Sequence, residues 1–163
     1  MEIIRELKPK EPKPFELFLL ADPDLDVIHS YLDHSKCMVL EQNNEIIGTY
    51  LLLPTRPHTV ELVNIAIKES KQGKGYGKKL VKHAVDKARE LGYKIIEVGT
   101  GNSSIQQMGL YQKCGFEITG LDKDYFTRHY RDPIYENGIQ CKDMVRMKQE
   151  LYHCFGDNKE GSA

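Results

Sequence analysis

The chain has 163 residues, a length that suits one domain able to bury a hydrophobic core without disulfides or metals. Its composition is that of an ordinary globular protein, with 40% hydrophobic and 29% charged residues and a formal net charge of −1. This balance argues against a general nucleic-acid-binding domain, which would be basic. The sequence also contains no run of eighteen apolar residues, the length that would predict a membrane span. We therefore expect neither nucleic acid nor membrane as a partner.

The start of the sequence has no apolar stretch of signal-peptide length. The chain contains four widely separated cysteines: Cys37, Cys114, Cys141 and Cys154. They form no C-x-x-C pair and no spacing typical of metal ligands, so we expect reduced thiols, no metal and a cytoplasmic location. A polar tail over 154–163 is predicted to follow a single domain over 1–153.

Hydrophobic periodicity predicts the elements of the first half of the chain. They are a strand over 2–7, two short helices within 15–34, and strands over 36–42, 45–54 and 58–68. Asp22-Pro23 interrupts the helical pattern. Asn43-Asn44 is typical of a hairpin turn between two strands.

The second half begins with a helix and ends with strands. The predicted elements are a helix over 75–91 that stops at Gly92, a strand over 93–100, a helix within 102–116, and strands over 116–126 and 140–151. A capping box at the second helix would pair Ser103 with Gln106, or Ser104 with Gln107.

The element order predicts the fold class. Strand 58–68, helix 75–91 and strand 93–100 form a βαβ unit, whose two strands should be parallel and joined by a right-handed crossover. Hairpins on both sides make the sheet mixed. The sequence therefore predicts one α/β or α+β domain, and not a doubly wound one.

The stretch "ESKQGKGYGKKL" (69–80) is typical of a phosphate-binding loop. A P-loop needs two glycines five residues apart, then Lys and Ser/Thr; here Gln72 takes the place of the first glycine and Lys79 that of the hydroxyl residue. A dinucleotide fingerprint fails as well, because Lys78 or Leu80 stands where its third glycine is needed. Spacing thus excludes two of three common nucleotide loops.

The pattern Gln72-x-x-Gly75-x-Gly77 resembles the acyl-CoA pyrophosphate loop of GNAT-type N-acetyltransferases, Gln/Arg-x-x-Gly-x-Gly/Ala. Glycines let backbone amides approach an anion, and the helix that follows directs its unpaired N–H groups towards it. Four lysines crowd the helix start: Lys74, Lys78, Lys79 and Lys82. Positive charge is unfavourable there, and a bound polyanion would offset it.

A second segment, "NSSIQQMGLYQKCGF" (102–116), resembles the next helix of the same family. Its Leu-Tyr-x-Lys-x-Gly-Phe motif begins at Leu110 and places the family's tyrosine at Tyr111. The family asparagine lies seven residues before that tyrosine, where this chain has Ser104. Asn102 lies nine before it, so Asn102 either contacts CoA from a shifted position or serves only as a cap.

The resemblance covers roughly 60–118 and implies the GNAT fold: a mixed, mostly antiparallel sheet of about six to seven strands with one splayed parallel pair, flanked by about four helices. It implies acetyl-CoA as cosubstrate and no metal. Ile65, Ala66 and Ile67 would be backbone partners of the thioester and pantetheine. The residues implied to bind the cosubstrate are Ile65, Ala66, Ile67, Gln72, Gly73, Lys74, Gly75, Tyr76, Gly77, Lys78, Asn102, Ser104, Tyr111 and Lys113.

The same resemblance implies transfer of an acetyl group to a primary amine of a small molecule or protein, by direct attack in a ternary complex. Cys114 then needs no nucleophilic role. Glu61 is our first choice for the base, with His58 second, and a backbone N–H near Ile65 would stabilise the oxyanion. Tyr111 would protonate the departing thiolate.

The acceptor pocket is predicted in the aromatic, charged loop 124–138, because binding residues concentrate on such loops. The candidates are Tyr125, Arg128, His129 and Tyr130. The loop would alternatively cover the core or form a homodimer contact. Two other functions stay open: a catalytically silent acyl-CoA-binding module, and an acyltransferase for another acyl chain. Glu61 together with Tyr111 favours an enzyme.

Overall fold

A computed structural model describes residues 1–152, which form nine strands and five α-helices. The strands are β1 (Glu2–Glu6), β2 (Lys36–Gln42), β3 (Glu45–Arg56), β4 (Thr59–Ile67), β5 (Ile95–Gly101), β6 (Glu117–Asp122), β7 (Tyr135–Glu136), β8 (Ile139–Gln140) and β9 (Met144–Glu150). The helices are α1 (Phe15–Ala21), α2 (Leu25–Leu32), α3 (Tyr76–Glu90), α4 (Ile105–Lys113) and α5 (Tyr125–His129). The predicted tail 154–163 lies outside the described residues.

Seven strands form one sheet in the order β1-β2-β3-β4-β5-β9-β6, and β7 and β8 form a separate hairpin. Within residues 1–152, β4 and β5 are the one parallel pair, and α3 is their crossover. The predicted mixed, mostly antiparallel sheet with one parallel pair is thus confirmed. The predicted loop 124–138 is not irregular: it contains α5 and β7, the first strand of the β7–β8 hairpin. None of the helices in this part of the chain is long and apolar enough to cross a membrane.

The core has two layers, one on each face of the sheet. α3 packs on one face through five buried residues: Leu80, Val81, Ala84, Val85 and Ala88. Burying a side chain such as that of Leu80, which is fully buried, contributes about 1.5–3 kcal/mol. The opposite face carries a smaller cluster in which α1 and α2 pack against the sheet through Phe18 and Ile28. The central strands of the sheet therefore have helices on both sides.

The β2–β3 connection is a two-residue hairpin, as predicted. Asn43 and Asn44 both have left-handed backbone conformations, with φ of 51° and 68°, while Gln42 pairs with Glu45 across the turn. This is the geometry of a type I′ turn, whose twist matches that of the strands and which asparagine tolerates. The turn fixes the register of β2 against β3.

The parallel pair separates halfway along its length. β4 and β5 pair from Thr59 opposite Ile95 to Leu62 opposite Val98, and beyond that point each continues without the other. At the same point the β3–β4 register shifts: Leu52 faces Leu62, but Leu51 faces Asn64, so Val63 is an extra residue in β4. This bulge bends the strand and opens the sheet.

The Asn43-Asn44 turn gives a direct test of the fold assignment. We expect Asn44→Ala to lower the free energy of unfolding by about 1 kcal/mol, because alanine is strained at φ 68°. Asn44→Gly should be neutral or stabilising, since Asn-Gly suits this turn. Urea denaturation of both variants measures the difference. Equal stabilities of the alanine and glycine variants would contradict the type I′ assignment.

Candidate active site

A cleft of about 680 Å³ opens where β4 and β5 separate. Its walls are the last five residues of β4, residues 63–67, and the end of β5 from Gly99 to Gly101. The glycine loop and the start of α3 close one end, and α4 lines the side that contains Tyr111. The cleft thus brings together the glycine loop within 69–80 and the segment 102–116, the two stretches that carry the family resemblance.

The edge of β4 that faces the cleft presents backbone groups without a strand partner. The Lys68 N–H donates to the Ile47 carbonyl of β3 over 2.8 Å. Alternate residues of a strand point to opposite edges, so Ala66 also bonds towards β3, whereas Ile65 and Ile67 point towards the cleft. The Ile67 carbonyl accepts a hydrogen bond from Gln72 Nε2 at 2.9 Å, which leaves the N–H and carbonyl of Ile65 and the N–H of Ile67 facing the cleft.

The glycine loop leads directly into α3. Gly73 and Gly75 have φ of 76° and 89°, values that residues other than glycine rarely adopt, and Gly75 is the N-cap of the helix. The first intrahelical bond runs from Lys79 N–H to the Gly75 carbonyl. The N–H groups of Tyr76, Gly77 and Lys78 therefore have no partner within the helix and are free to bind an anion.

The charge around this helix start is positive and only partly neutralised. The first turn of α3 contains no acidic residue. Lys79 forms an ion pair with Glu2 of β1, and Lys68 pairs with Glu45. Within residues 1–152, Lys78 has no ion-pair partner and is exposed, so it adds to the helix dipole instead of balancing it.

Tyr111 is in the last turn of α4, on the cleft side of the helix, and only 3% of it is exposed. Burial raises the pKa of its phenol to about 12, and the Gln107 side chain donates a hydrogen bond to its oxygen at 3.1 Å. The Tyr111 ring packs edge-on against Phe116. Tyr111 is therefore protonated at any physiological pH.

The remaining residues of the second segment are placed differently. Asn102 does not line the cleft: its Oδ1 accepts the N–H groups of Lys142 and Asp143, and its Nδ2 donates to the Gln140 carbonyl. Ser104 lines the cleft as N-cap of α4, but its hydroxyl donates to Glu136, and the predicted capping box does not form. Asn102 thus has a structural role, holding the segment before β9.

Lys74, Lys78 and Lys113 are exposed outside the cleft walls. Lys74 and Lys78 flank the loop glycines, where they contribute long-range charge. Lys113 is at the far end of α4. The two loop lysines are thus placed to attract an anion, and Lys113 is not.

Glu61 lies beside the cleft, in a second depression. The residues that line this depression are Thr55, Arg56, Glu61, Glu97, Thr119, Gly120, Leu121, Asp122 and Arg146. Burial raises the pKa of the Glu61 carboxyl, and Arg146, 3.9 Å away, opposes this shift. His58, the second candidate for a base, has a φ of 63° in the turn before β4, at the end remote from the cleft.

The predicted acceptor residues divide into two groups. Tyr130 lines the cleft, and Tyr125 stands between Arg146 and His129, 5.5 Å from the Arg146 guanidinium. Arg128 is on the surface, paired with Asp122 at 2.9 Å, and His129 is exposed. The structure therefore brings one of the four predicted acceptor residues to the cleft wall.

The sequence interpretation missed a polar cluster in the cleft wall. Asp22 and Asn64 are only 7% and 3% exposed, and the Tyr31 hydroxyl bridges them. One feature of the sequence indicates this cluster. Asn64 continues the alternation of Val60 and Leu62, so a strand without a bulge would point the Asn64 amide into the apolar layer between the sheet and α3. The bulge at Val63 turns Asn64 to the α1–α2 face instead.

Comparison with known proteins identifies the family. The model of the acetyltransferase (GNAT) family matches residues 2–116. The N-acetyltransferase YvbK of Bacillus subtilis (strain 168) is 56% identical over 137 residues, which cover 84% of this chain and 88% of that protein. The chain belongs to the GNAT acetyltransferase family. This acetyltransferase is thus an enzyme of the acyltransferase class.

Two solved structures resemble the acetyltransferase closely. A GNAT family acetyltransferase from Elizabethkingia anophelis, with acetyl-CoA bound, superposes with a TM-score of 0.90 at 43% identity and covers 92% of this chain and 98% of its own. A Bacillus subtilis acetyltransferase in complex with CoA gives a TM-score of 0.87 at 51% identity over 93% and 100% of the two chains. Both confirm the predicted fold.

The two glycines of the acetyltransferase loop should respond differently to alanine. At Gly75 a side chain meets open space but is strained by about 1–2 kcal/mol at φ 89°. If the loop of the free variant relaxes to another backbone conformation, binding of acetyl-CoA must restore the left-handed conformation at residue 75 at the cost of this strain. We therefore expect Gly75→Ala to weaken acetyl-CoA binding about tenfold. Isothermal titration calorimetry measures this.

Gly77→Ala is the matched control. Its φ is not positive, and an added Cβ would meet only Leu110 Cδ2, at an ordinary 3.7 Å. We expect its affinity for acetyl-CoA to stay within about twofold of the wild type. Equal losses in both variants would show that backbone conformation at Gly75 does not matter.

Proposed function

We propose that this protein is an acetyl-CoA-dependent N-acetyltransferase that transfers an acetyl group to a primary amine by direct attack in a ternary complex. One observation carries the proposal. A single cleft joins a helix N-terminus with unpaired amides to the free edge of β4 and to the Tyr111 hydroxyl. The ligands named for the two similar structures, acetyl-CoA and CoA, support the choice of cosubstrate.

The cosubstrate has an anionic end and a neutral arm, and the cleft has matching ends. The loop from Gly73 to Gly77 and the first amides of α3 would hold the pyrophosphate, with Lys74 and Lys78 adding positive charge. The free edge of β4 would hold the pantetheine arm through backbone bonds of Ile65. Ala66 bonds towards β3, and Ile67 gives its carbonyl to Gln72 and keeps only its N–H free, so Ile65 is the one of the three with both backbone groups available.

Acetyl-CoA supplies an activated thioester whose acetyl carbon an amine attacks. The Ile65 N–H points into the cleft and is the candidate donor to the oxyanion that develops at the carbonyl. A backbone donor held by a strand costs little to reorganise. No covalent step on the protein is required, and burial raises the pKa of the Cys114 thiol, which does not favour a nucleophilic thiolate.

Tyr111 would act mainly as a hydrogen-bond donor to the leaving thiolate. Its pKa of about 12 lies well above that of a thiol, about 8.5, so full transfer of its proton would be uphill. A neutral, buried hydroxyl still stabilises negative charge on sulfur. The Gln107 side chain donates a hydrogen bond to the phenol oxygen, which holds that oxygen in place and leaves the phenol proton free to donate.

Glu61 remains our candidate for the base that removes the amine proton. Burial raises its pKa, which brings a carboxylate closer to the range a general base needs. It is on β4, four residues before Ile65, but in the adjacent depression, so a water chain would have to relay the proton.

We also infer a cytoplasmic location and one catalytic domain over 1–153.

The proposal is tested by acetyl-CoA binding and by turnover. Acetyl-CoA at millimolar concentration should raise the melting temperature, and thiol release should accelerate with some members of a panel of primary amines. Failure of acetyl-CoA to stabilise the protein would contradict the assignment of the cleft. Binding without amine-dependent thiol release would favour a silent acyl-CoA-binding module, and binding of another acyl-CoA alone would favour a different acyl chain.

Removing the Tyr111 hydroxyl should slow the chemical step. We expect Tyr111→Phe to lower kcat roughly 10²-fold while the KM for acetyl-CoA changes little, because the ring still fills its site. Steady-state thiol release measures both constants. Loss of acetyl-CoA affinity with unchanged kcat would show that Tyr111 is structural.

Glu61→Gln tests the base. A base must be deprotonated, so the wild-type kcat/KM should fall as the pH drops through the raised pKa of Glu61. We expect Glu61→Gln to lower kcat/KM roughly 10²-fold at neutral pH. Glu97→Gln is the control, because Glu97 lines the same depression and pairs with Arg56. Equal activity of the two variants would exclude Glu61 as the base.

A further inference from the structure

We propose that the acceptor is a small cationic primary amine that carries no carboxylate, and that its ammonium is bound by Asp22 and Asn64 in the cleft wall. This deepens the proposed function and rests on it. Three features support it: the surroundings of Asp22, the hydrogen bonds that connect it to Asn64, and the charges that line the cleft.

Asp22 is a buried carboxylate at an unfavourable place. It is the C-cap of α1, its N–H donates to the Phe18 carbonyl, and only 7% of it is exposed. A negative charge at a helix C-terminus opposes the helix dipole, and α1 has no basic residue in its last turn. Its oxygens accept hydrogen bonds from the Asp24 N–H and the Tyr31 hydroxyl, but within residues 1–152 no Lys, Arg or His forms an ion pair with it, so no basic side chain there neutralises its charge.

The hydrogen bonds around Asp22 have a fixed direction. Asn64 Nδ2 donates to the Phe18 carbonyl at 3.1 Å and to the Tyr31 hydroxyl at 3.0 Å. The opposite amide orientation would point an oxygen at that carbonyl, so this orientation is required. Tyr31 therefore donates its own proton to Asp22 Oδ2, at 2.9 Å. The Asp22 carboxylate and the Asn64 Oδ1 atom are therefore the two acceptors of this network.

Asn64 Oδ1 is the group that this network leaves without a donor. It is buried and has no hydrogen-bond partner in the described part of the chain. An unpaired buried carbonyl oxygen costs about 1–3 kcal/mol, and an ammonium, with three N–H donors, would satisfy it together with Asp22. Asn64 also precedes Ile65, whose N–H faces the cleft, so the cluster adjoins the proposed reaction centre.

The charges that line the cleft decide the class of amine. Asp22 and Glu136 are its acidic residues, and Lys71, next to the glycine loop, is the one basic residue on the described walls. Glu136 accepts hydrogen bonds from Ser103 and Ser104. A carboxylate on a small acceptor would enter a cleft whose acidic residues are compensated only by Lys71, beside the glycine loop, whereas an uncharged or cationic substituent would meet no such repulsion.

Arg128 and Arg131 do not change this balance. Arg128 pairs with Asp122, and Arg131 pairs with Asp26 and lies 3.9 Å from Asp24. Neither arginine lines the cleft. Removal of the amine proton remains the task of the base proposed above.

The first experiment compares two acceptors of equal length. With saturating acetyl-CoA, thiol release is measured with butylamine and with 4-aminobutanoate, which differ by one terminal carboxylate. We expect kcat/KM for butylamine to be at least about tenfold higher in the wild type. Equal rates, or a preference for 4-aminobutanoate, would overturn the assignment of the acceptor class.

The second experiment removes the charge of Asp22. We expect Asp22→Asn to raise the KM for butylamine about tenfold or more, the loss typical of a hydrogen bond to a charged group, and to leave the KM for acetyl-CoA unchanged. Asp26→Asn is the control, an exposed carboxylate four residues away that does not line the cleft. An unchanged KM in Asp22→Asn, or an equal rise in Asp26→Asn, would overturn the proposal.

A third variant tests the site without touching Asp22. The groups that face the Asp22 carboxyl are the Tyr31 and Tyr130 hydroxyls and Asp24; burial raises its pKa, and the two hydroxyls lower it. Asp22 must be ionised to bind an ammonium, so the affinity for butylamine, measured by calorimetry with CoA bound so that no turnover occurs, should fall as the pH drops through the pKa of Asp22. This affinity, unlike kcat/KM, requires no proton transfer to Glu61. We expect Tyr130→Phe to move this acidic limb to higher pH, and an unmoved limb would contradict the role of Asp22.

The outcomes separate the acceptor site from the proposed function. Stabilisation of Asp22→Asn by acetyl-CoA shows that the variant is folded, and Tyr130→Phe provides the test if it is not. If the wild type acetylates no amine at all, the proposed function fails. If it acetylates butylamine and all variants behave like the wild type, the proposed function stands and the Asp22 site is overturned.

Discussion

The separation of β4 from β5 is the feature on which the rest of the site depends. The two strands pair as far as Leu62 and Val98 and then diverge, so the sheet gives up backbone hydrogen bonds that a continuous sheet would keep. Unpaired buried backbone groups are costly, which means that the gap is stable only if its edge is solvated or bound by a ligand. The cleft, its free Ile65 amide and its access to the glycine loop all follow from this loss of pairing.

The bulge at Val63 couples this gap to the other face of the sheet. Because the extra residue shifts the alternation of β4, Leu62 and Ile65 both pack towards α3, while Asn64 turns to α1 and α2. The proposed backbone donor to the acetyl group, Ile65, and the proposed polar side chain for the acceptor, Asn64, thereby lie on adjacent residues. The two cores of the protein hold them in place from opposite sides, which would allow one strand to contact both proposed substrates.

Local patterns predicted most of the fold, since periodicity, the Asn43-Asn44 turn and the βαβ order depend on neighbouring residues. The spacing of the loop glycines likewise predicted a loop that leads directly into the N-terminus of α3. The position of the register shift at Val63 does not follow from the residues, because no glycine or proline marks it and a bulge is decided by pairing with β3. The Asp22 cluster was missed for a related reason. Asp22 and Asn64 are 9 and 33 residues away from Tyr31 in the sequence, and the three meet only because α1, α2 and β4 pack together.

Amide hydrogen exchange with and without acetyl-CoA tests the central claim most directly. The claim is that the free edge of β4 and the start of α3 form one binding surface for this cosubstrate. We predict that acetyl-CoA slows exchange of the Ile65 amide and of the amides from Gly73 to Lys78 together, and leaves the Ala66 amide, already bonded towards β3, nearly unchanged. Protection confined to other parts of the sheet, or equal protection of Ile65 and Ala66, would contradict this account.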